Sequence, residues 1–180
     1  MSTHVRHVKT QLIVRRLKAS SQRGFVEFGP FRFPCALGRS GISSLKREGD
    51  GATPWGRFML LEVFYNPNAV QRPRTALPIR RIRHKDGWCD ASSDRNYNRF
   101  VQHPYPASAE ELWRDDGLYD VVVVLDYNLR PRRRALGSAI FMHVARPGFT
   151  PTEGCIALRR DDLLKLLAWI SRQTMILTAQ

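Results

Sequence analysis

The residues most able to do chemistry in this sequence are one thiol and one imidazole. His143 lies in Ser138-Ala-Ile-Phe-Met-His-Val144, and Gly154-Cys155 follows twelve residues after it, leading into the short apolar piece Ile156-Ala157-Leu158. The segment between them is bounded by Pro and Gly, so the chain reads as strand, loop, strand. Paired strands lie about 4.8 Å apart, which brings an imidazole and a thiol within hydrogen-bond reach. A thiolate is the nucleophile in cysteine chemistry, and a neighbouring His takes its proton. Gly154 lets a carbonyl approach the backbone closely. The N–H groups of Gly154 and Cys155 are then placed to hold the oxyanion of an acyl-transfer intermediate. Taken singly, each residue has a plainer reading: a cysteine in an apolar segment as a small buried hydrophobe, a histidine on a strand as a satisfied core or edge residue.

The elements that must position this pair are mostly strands. Gln11 to Lys18, Gly24 to Phe28 and Phe31 to Leu37 form a meander with a turn at Gly29-Pro30. Arg39 to Trp55 is rich in Gly and Ser and reads as a loop, and Arg57 to Tyr65 is the next strand. Residues 66–108 hold Pro67, Pro73, Pro78, Pro104 and Pro106 with little periodicity, which predicts a long irregular insertion packed on the domain as a cap. Ser108 to Arg114 is predicted to be a short helix, with Ser108 as N-cap and Glu111 three residues on. Tyr119 to Leu125 and Ser138 to Val144 read as strands. Asp161 to Ile170 is an amphipathic helix with two aspartates in its first turn, and Thr174 to Thr178 is a closing strand. The expectation is a single domain over residues 1–180, mainly β, with one good helix near the C-terminus.

Composition fits one globular domain. The 180 residues are 43% hydrophobic and 25% charged, which excludes disorder, collagen and coiled coil for the whole chain. The longest apolar run, Val121 to Leu125, is far short of the roughly 20 residues a membrane span needs. Residues 1–9 hold no apolar core of the kind a secretory signal carries. Three cysteines, Cys35, Cys89 and Cys155, do not make a disulfide scaffold. No C-x-x-C and no His-x-x-x-His pair occurs, so no structural zinc site is expected. Cys89, in Gly87-Trp-Cys-Asp90, is the competing thiol. It has no His at strand spacing, only His84 nearby in sequence, and reads as structural. The formal charge is +13, with only 5 of the 29 basic residues lysine. One acid-free run holds Arg72, Arg74, Arg80, Arg81, Arg83 and Lys85, and another Arg130, Arg132, Arg133 and Arg134. Such patches suit phosphates, carboxylates or an anionic polymer.

The stretch from Phe141 through His143, Arg146, Thr152 and Glu153 to Gly154-Cys155-Ile-Ala-Leu158 resembles the active-site motif of the L,D-transpeptidase (YkuD-type) family. There a His precedes Ser/Thr-x-Gly-Cys by a short loop. A second block is similar too: Gly38-Arg-Ser-Gly-Ile42, then Lys46 to Gly51, then Thr53-Pro54-Trp-Gly56-Arg-Phe58. Gly87-Trp-Cys-Asp90, Tyr97-Asn98-Arg99, Leu112-Trp-Arg114, Tyr119-Asp120 and Gly137-Ser138-Ala-Ile140 resemble one proteobacterial-looking branch. The resemblance runs over about residues 10–178. It implies a β-sandwich of mixed sheets with a packed helix and no metal or organic cofactor. It implies Cys155 as nucleophile, His143 as base and then acid oriented by a backbone carbonyl, and Gly154 in the oxyanion hole. The substrate it implies is the bond after meso-diaminopimelate in a peptidoglycan stem. An amine then resolves the acyl-enzyme into a cross-link, or water trims the stem. Arg146, Thr152, Glu153, Asp90, Tyr97, Asn98, Arg99 and Trp88 are the expected substrate-binding residues.

Two positions depart from the family pattern. Glu153 stands where many members carry His, and a carboxylate there raises a thiol pKa unless it points away or pairs with a cation such as Arg146. Ala157 stands where many carry Arg, which moves carboxylate recognition to Arg146, Arg99 or the 72–85 run. The leading expectation is a cross-linking L,D-transpeptidase of the cell envelope, with the 66–108 insertion restricting stems and first-to-third-position links as its variant. The second is an L,D-carboxypeptidase in cytoplasmic muropeptide recycling. The third is a non-catalytic polyanion-binding module, which leaves the His143…Gly154-Cys155 arrangement without a reason. Peptidoglycan, not nucleic acid, is therefore the expected partner.

Overall fold

The computed structural model describes residues 11–18 and 20–179. The reading of residues 1–9 lies outside them. The strands are β1 (Gln11–Leu17), β2 (Ser20–Phe28), β3 (Phe31–Ala36), β4 (Ile42–Ser43), β5 (Thr53–Pro54), β6 (Gly56–Tyr65), β7 (Ile79–Arg81), β8 (Asp86–Cys89), β9 (Arg99–Gln102), β10 (Ala109–Glu111), β11 (Val121–Leu125), β12 (Phe141–Val144), β13 (Ile156–Leu158) and β14 (Met175–Ala179). The single α-helix among the described residues is α1 (Arg160–Trp169), and a 3-10 turn spans Pro147–Phe149. Among the described residues no helix is long and apolar enough to cross a membrane. The molecule is mainly β with mixed sheets, as the sequence predicts.

The main sheet runs β11-β12-β13-β3-β2-β1-β14-β6-β7 and closes on itself, because β6 also pairs with β11. The ten-residue β6 makes this possible: residues 56–59 pair with β14 and the stretch from Leu60 to Tyr65 pairs with β11. The pairs β1/β14, β12/β13 and β6/β7 are parallel.

The valine run of β11 shows why the chain folds this way. Val121, Val123 and Leu125 enter a first core with Leu12, Val26, Met142 and Ile156, inside the closed sheet. Val122 and Val124 enter a second core with Phe64, Trp88, Leu112, Phe141 and Cys155. A strand covered on both faces needs apolar residues at every position, not at alternate ones. The helix α1 closes one side of the first core with Leu163, Leu166 and Leu167, at helical spacing. It ends where Ile170 turns extended and donates its N–H to the Leu166 carbonyl.

The second core corrects two expectations. Residues 66–108 are less irregular than their prolines imply. β7 joins the main sheet, and β8 is the centre of a separate three-stranded sheet, β10-β8-β9. Ser108 to Arg114 is not a helix: Ala109, Glu110 and Glu111 pair with Cys89, Trp88 and Gly87. A seven-residue helix forms too few internal bonds to hold by itself, whereas the extended form completes a sheet and buries Leu112. The cap therefore docks through Trp88, Ile82 and Leu112 on the outer face of the main sheet, where Cys155 lies.

Candidate active site

His143 and Cys155 are brought together by the parallel pairing of β12 with β13, in which Met142 faces Ile156 and His143 faces Ala157. Cys155 is the residue just before β13. Strand alternation turns His143 to the same side as Phe141, into the second core. The loop between them is stitched to the end of β3. Thr152 N–H donates to the Leu37 carbonyl at 2.9 Å, and Arg39 N–H to the Thr152 carbonyl at 2.8 Å. Gly38 N–H in turn donates to Thr53 Oγ1 at 2.9 Å, which gives the Thr53-Pro54 block its structural task. Gly154 has φ +136°, and a Cβ there would come within 2.8 Å of the Ala52 carbonyl oxygen, so only glycine fits.

The thiol donates to the Ala139 carbonyl (3.2 Å) and accepts from Phe141 N–H (3.4 Å). The strands pair as expected, but the thiol proton thus rests on a carbonyl and not on the imidazole. Imidazole Nδ1 lies 2.8 Å from the Val144 carbonyl. A carbonyl only accepts, so Nδ1 carries the proton and Nε2 is left as the basic nitrogen. Burial pushes the Cys155 thiol up to about 12, reinforced by the Glu110 charge. Burial likewise lowers the His143 imidazole to about 4, helped by Arg146 and Arg114. Both groups are therefore neutral at neutral pH, and proton transfer has to accompany attack instead of preceding it.

They open onto a cavity of about 160 Å³, walled by Glu110, Arg114, Tyr119, Arg146, Thr152 and Glu153 among others. Tyr119 O–H donates to Glu110 Oε2 at 2.6 Å, and its ring meets the His143 ring edge-on at 5.4 Å. Burial raises the Glu110 carboxyl above its usual range. Arg114 is held by Asp116 through two bonds of 2.9 and 2.5 Å. Among the described residues no group of three or more His, Cys, Asp or Glu side chains is arranged to hold a metal ion.

The cavity gathers Cys155, His143, Arg146, Thr152 and Glu153 from the expected set. Glu153 is mostly exposed and pairs with Arg39 at 2.9 Å, not with Arg146, whose nearest acid is Asp116 at 3.9 Å. Gly154 N–H is directed to Thr152 Oγ1 (3.2 Å), while that hydroxyl donates to the Cys155 carbonyl (2.6 Å).

Trp88, Asp90, Tyr97, Asn98 and Arg99 do not line this cavity. Trp88 fills the second core, edge-on to Phe141, whereas Trp55 is exposed. Tyr97 is buried and donates to Glu48. Arg99 opens on a different groove with Phe100 and Arg132. Asp90 keeps one buried oxygen without a protein partner. Asn98 uses all four of its hydrogen-bonding positions internally. Its Oδ1 accepts from Trp88 Nε1 (2.9 Å) and Ala139 N–H (3.1 Å), and its Nδ2 donates to the carbonyls of Tyr127 (3.1 Å) and Asn128 (2.8 Å). It reaches the thiol only through Ala139, whose N–H it accepts and whose carbonyl, in the next peptide, accepts the thiol. Glu110, Arg114 and Tyr119 are wall residues to which sequence reasoning assigned no role. The block Tyr119-Asp120 was visible, but nothing in spacing points Glu110 at Cys155.

A mainly β domain with a Cys–His pair opening on one cavity defines a class of candidate acyl-transfer proteins. The sequence profile of the L,D-transpeptidase catalytic domain (YkuD) matches residues 22–177, and the chain belongs to that family. Among solved structures, Bd1075 of Bdellovibrio bacteriovorus is similar at 16% identity and TM-score 0.45, over 92% of this chain and 46% of that one. L,D-transpeptidase 1 of Mycobacterium tuberculosis is similar at 13% identity and TM-score 0.40, over 94% of this chain and 62% of that one. This chain thus spans less than two thirds of either. No curated protein matches the sequence.

Proposed function

We propose that this protein is a cysteine-dependent peptidoglycan L,D-transpeptidase acting in the cell envelope. The observation that carries the reading is the shared cavity of Cys155 and a His143 whose Nδ1 is tied to the Val144 carbonyl, leaving Nε2 to act as base. The thiol proton leaves the Ala139 carbonyl for Nε2 as sulfur attacks the stem carbonyl after diaminopimelate. The imidazolium then protonates the departing amine, and the thioester remains on Cys155. Cys155 N–H, and Gly154 N–H once released from Thr152, stabilise the oxyanion. Arg146, the wall cation not held by a close carboxylate, takes over the carboxylate recognition that Ala157 cannot supply. The altered Glu153 and Ala157 positions favour links that include the first stem residue, while residues 66–108 contribute no wall to this cavity.

The test is mass spectrometry of products from disaccharide-tetrapeptide and from sacculi, with Cys155→Ala as control. Cross-linked dimers made only by the native protein are expected, and fragmentation names the bond. Trimmed monomers alone would make it an L,D-carboxypeptidase. Identical products from both proteins would refute Cys155 as nucleophile.

A further inference from the structure

We propose that Glu110 is the acceptor-amine site of this cavity: its carboxylate binds the incoming ammonium group and removes the proton that must leave before nitrogen attacks the acyl-enzyme. The inference rests on the transpeptidase reading of Cys155 and deepens it.

An ammonium has no lone pair, so aminolysis of a thioester needs two proton acceptors in sequence. His143 offers one nitrogen, because Nδ1 is engaged with the Val144 carbonyl. That nitrogen is needed for the second proton, which ends on the departing sulfur. The first proton needs another base within the same cavity. Glu110 and Glu153 are the wall carboxylates, and Glu153 is turned out onto Arg39. Glu110 is partly accessible from the cavity and is held by Tyr119, whose ring lies against His143. Arg114, the cation that acts on it, is tied by two bonds to Asp116 and makes no ion pair with Glu110 among the described residues. The desolvated carboxyl is a stronger base than a surface one.

The placement of this charge also has a cost that only the second half of the reaction repays. Glu110 opposes ionisation of Cys155, which hinders formation of the acyl-enzyme. Once sulfur is acylated it carries no charge to oppose, and a negative wall then draws an ammonium to the thioester.

The steps balance. The ammonium gives one proton to Glu110, and the neutral amine adds to the thioester carbonyl. The nitrogen passes its second proton to His143 Nε2. The C–S bond breaks, and sulfur recovers that proton from the imidazolium. The products are the new amide, the free thiol and one proton released from Glu110 to water.

The experiment follows one acyl-enzyme to two fates in native protein and Glu110→Gln. Acylation of Cys155 by a tetrapeptide donor is read by intact-protein mass, and its resolution as the ratio of cross-linked dimer to trimmed monomer. The variant is expected to acylate no more slowly than native, because a like charge is gone, while the dimer-to-monomer ratio falls about 100-fold. Hydroxylamine, an amine already unprotonated at neutral pH, is expected to resolve both acyl-enzymes equally well. An unchanged ratio overturns the proposal. Equal losses with the stem amine and with hydroxylamine overturn it as well, since they mean a structural role. Should Glu110→Gln not fold, Glu110→Asp carries the same comparison, with a smaller fall for the stem amine alone. A native protein that never acylates at Cys155 would instead overturn the proposed function, and this inference with it.

Discussion

Cys35 and Cys155 make an instructive pair. Both are buried, at 1% and 9% exposure, and burial pushes both thiols up to about 12. By titration alone they are indistinguishable. Cys35 sits on β3 opposite Gly24 and Leu158, enclosed in the first core. Cys155 sits in the second core at the floor of a cavity, with an imidazole on the same wall and its S–H on the Ala139 carbonyl. The backbone around it is unusual: Gly154 has φ +136° and the non-glycine Ala139 has φ +51°. A left-handed non-glycine residue costs of order 1 kcal/mol and persists only where its surroundings impose it. A raised thiol pKa therefore records burial. Access, a neighbouring base and imposed backbone geometry are what separate a reactive site from a packed one.

The largest expected effect is the sharpest test of that contrast. Cys155→Ala is expected to abolish product formation with the melting curve nearly intact. Cys35→Ala is expected to leave turnover alone and lower stability by about 1–2 kcal/mol, read by urea titration. If Cys35→Ala also removes activity, the two regions are not separable. Next comes the base. His143→Gln is expected to lower acylation of Cys155 by about 10²–10⁴, the usual contribution of a positioned base, in a single-turnover mass assay.

His143 also separates the two regions by pH. Its imidazole falls from 6.5 to about 4 on folding, so the folded state keeps it neutral. As pH drops through that window the unfolded chain binds a proton that the folded chain does not, and stability is lost. The contribution is roughly 3 kcal/mol at about 1.4 kcal/mol per unit. Glu110, Glu62 and Asp126, whose carboxyls are raised, act with the opposite sign there. The clean measurement is therefore the difference between native and His143→Gln in unfolding free energy against pH. A difference that stays flat across the window would mean His143 is not desolvated, and the cavity is more open than described.

The same contrast explains what could be read from the chain alone. The strand, loop, strand order of β12 and β13 was legible from an apolar strand, a Pro/Gly-bounded loop and a second apolar strand, but the parallel sense of their pairing was not. The helix α1 was legible from its leucine spacing and its two leading aspartates. Asn98 and Tyr97 lie away from the cavity, and polarity in a loop does not say which side it faces. Both are turned inward, where their polar atoms are satisfied by distant partners such as Ala139 and Glu48. The extended form of Ser108 to Arg114 depends on Gly87, Trp88 and Cys89 as partners, so no local pattern announces it. Glu110 stayed hidden for the same reason.

Asn98 carries the next effect in size. Asn98→Ala leaves Trp88 Nε1–H and Ala139 N–H without their acceptor inside the second core, at about 1–3 kcal/mol for each unsatisfied buried group. It also frees the N–H side of Ala139, the residue whose carbonyl accepts the Cys155 thiol. The expected outcome is a lower denaturation midpoint together with slower acylation. Asn98→Asp, which keeps the acceptor oxygen, is expected to lose less of both. A stability loss with unchanged acylation would mean that anchoring the Ala139 N–H does not orient the thiol.

The smallest effect is at the rim, where Arg39 holds Glu153 beside the nucleophile. Both side chains are substantially exposed, at 49% and 76%, so the pair contributes little to stability, about 0–1 kcal/mol. Its consequence is expected in rate. Arg39 also donates to the Gly49 carbonyl, which fixes the guanidinium and with it the direction of Glu153. Arg39→Ala frees a carboxylate two residues from Cys155 and is expected to slow acylation by a few fold. The double variant Arg39→Ala/Glu153→Ala is expected to restore it, because the charge rather than the bond is the obstacle. If the double variant stays as slow as Arg39→Ala, the contribution of Arg39 lies in its contact with Gly49 and not in steering Glu153 away from the thiol.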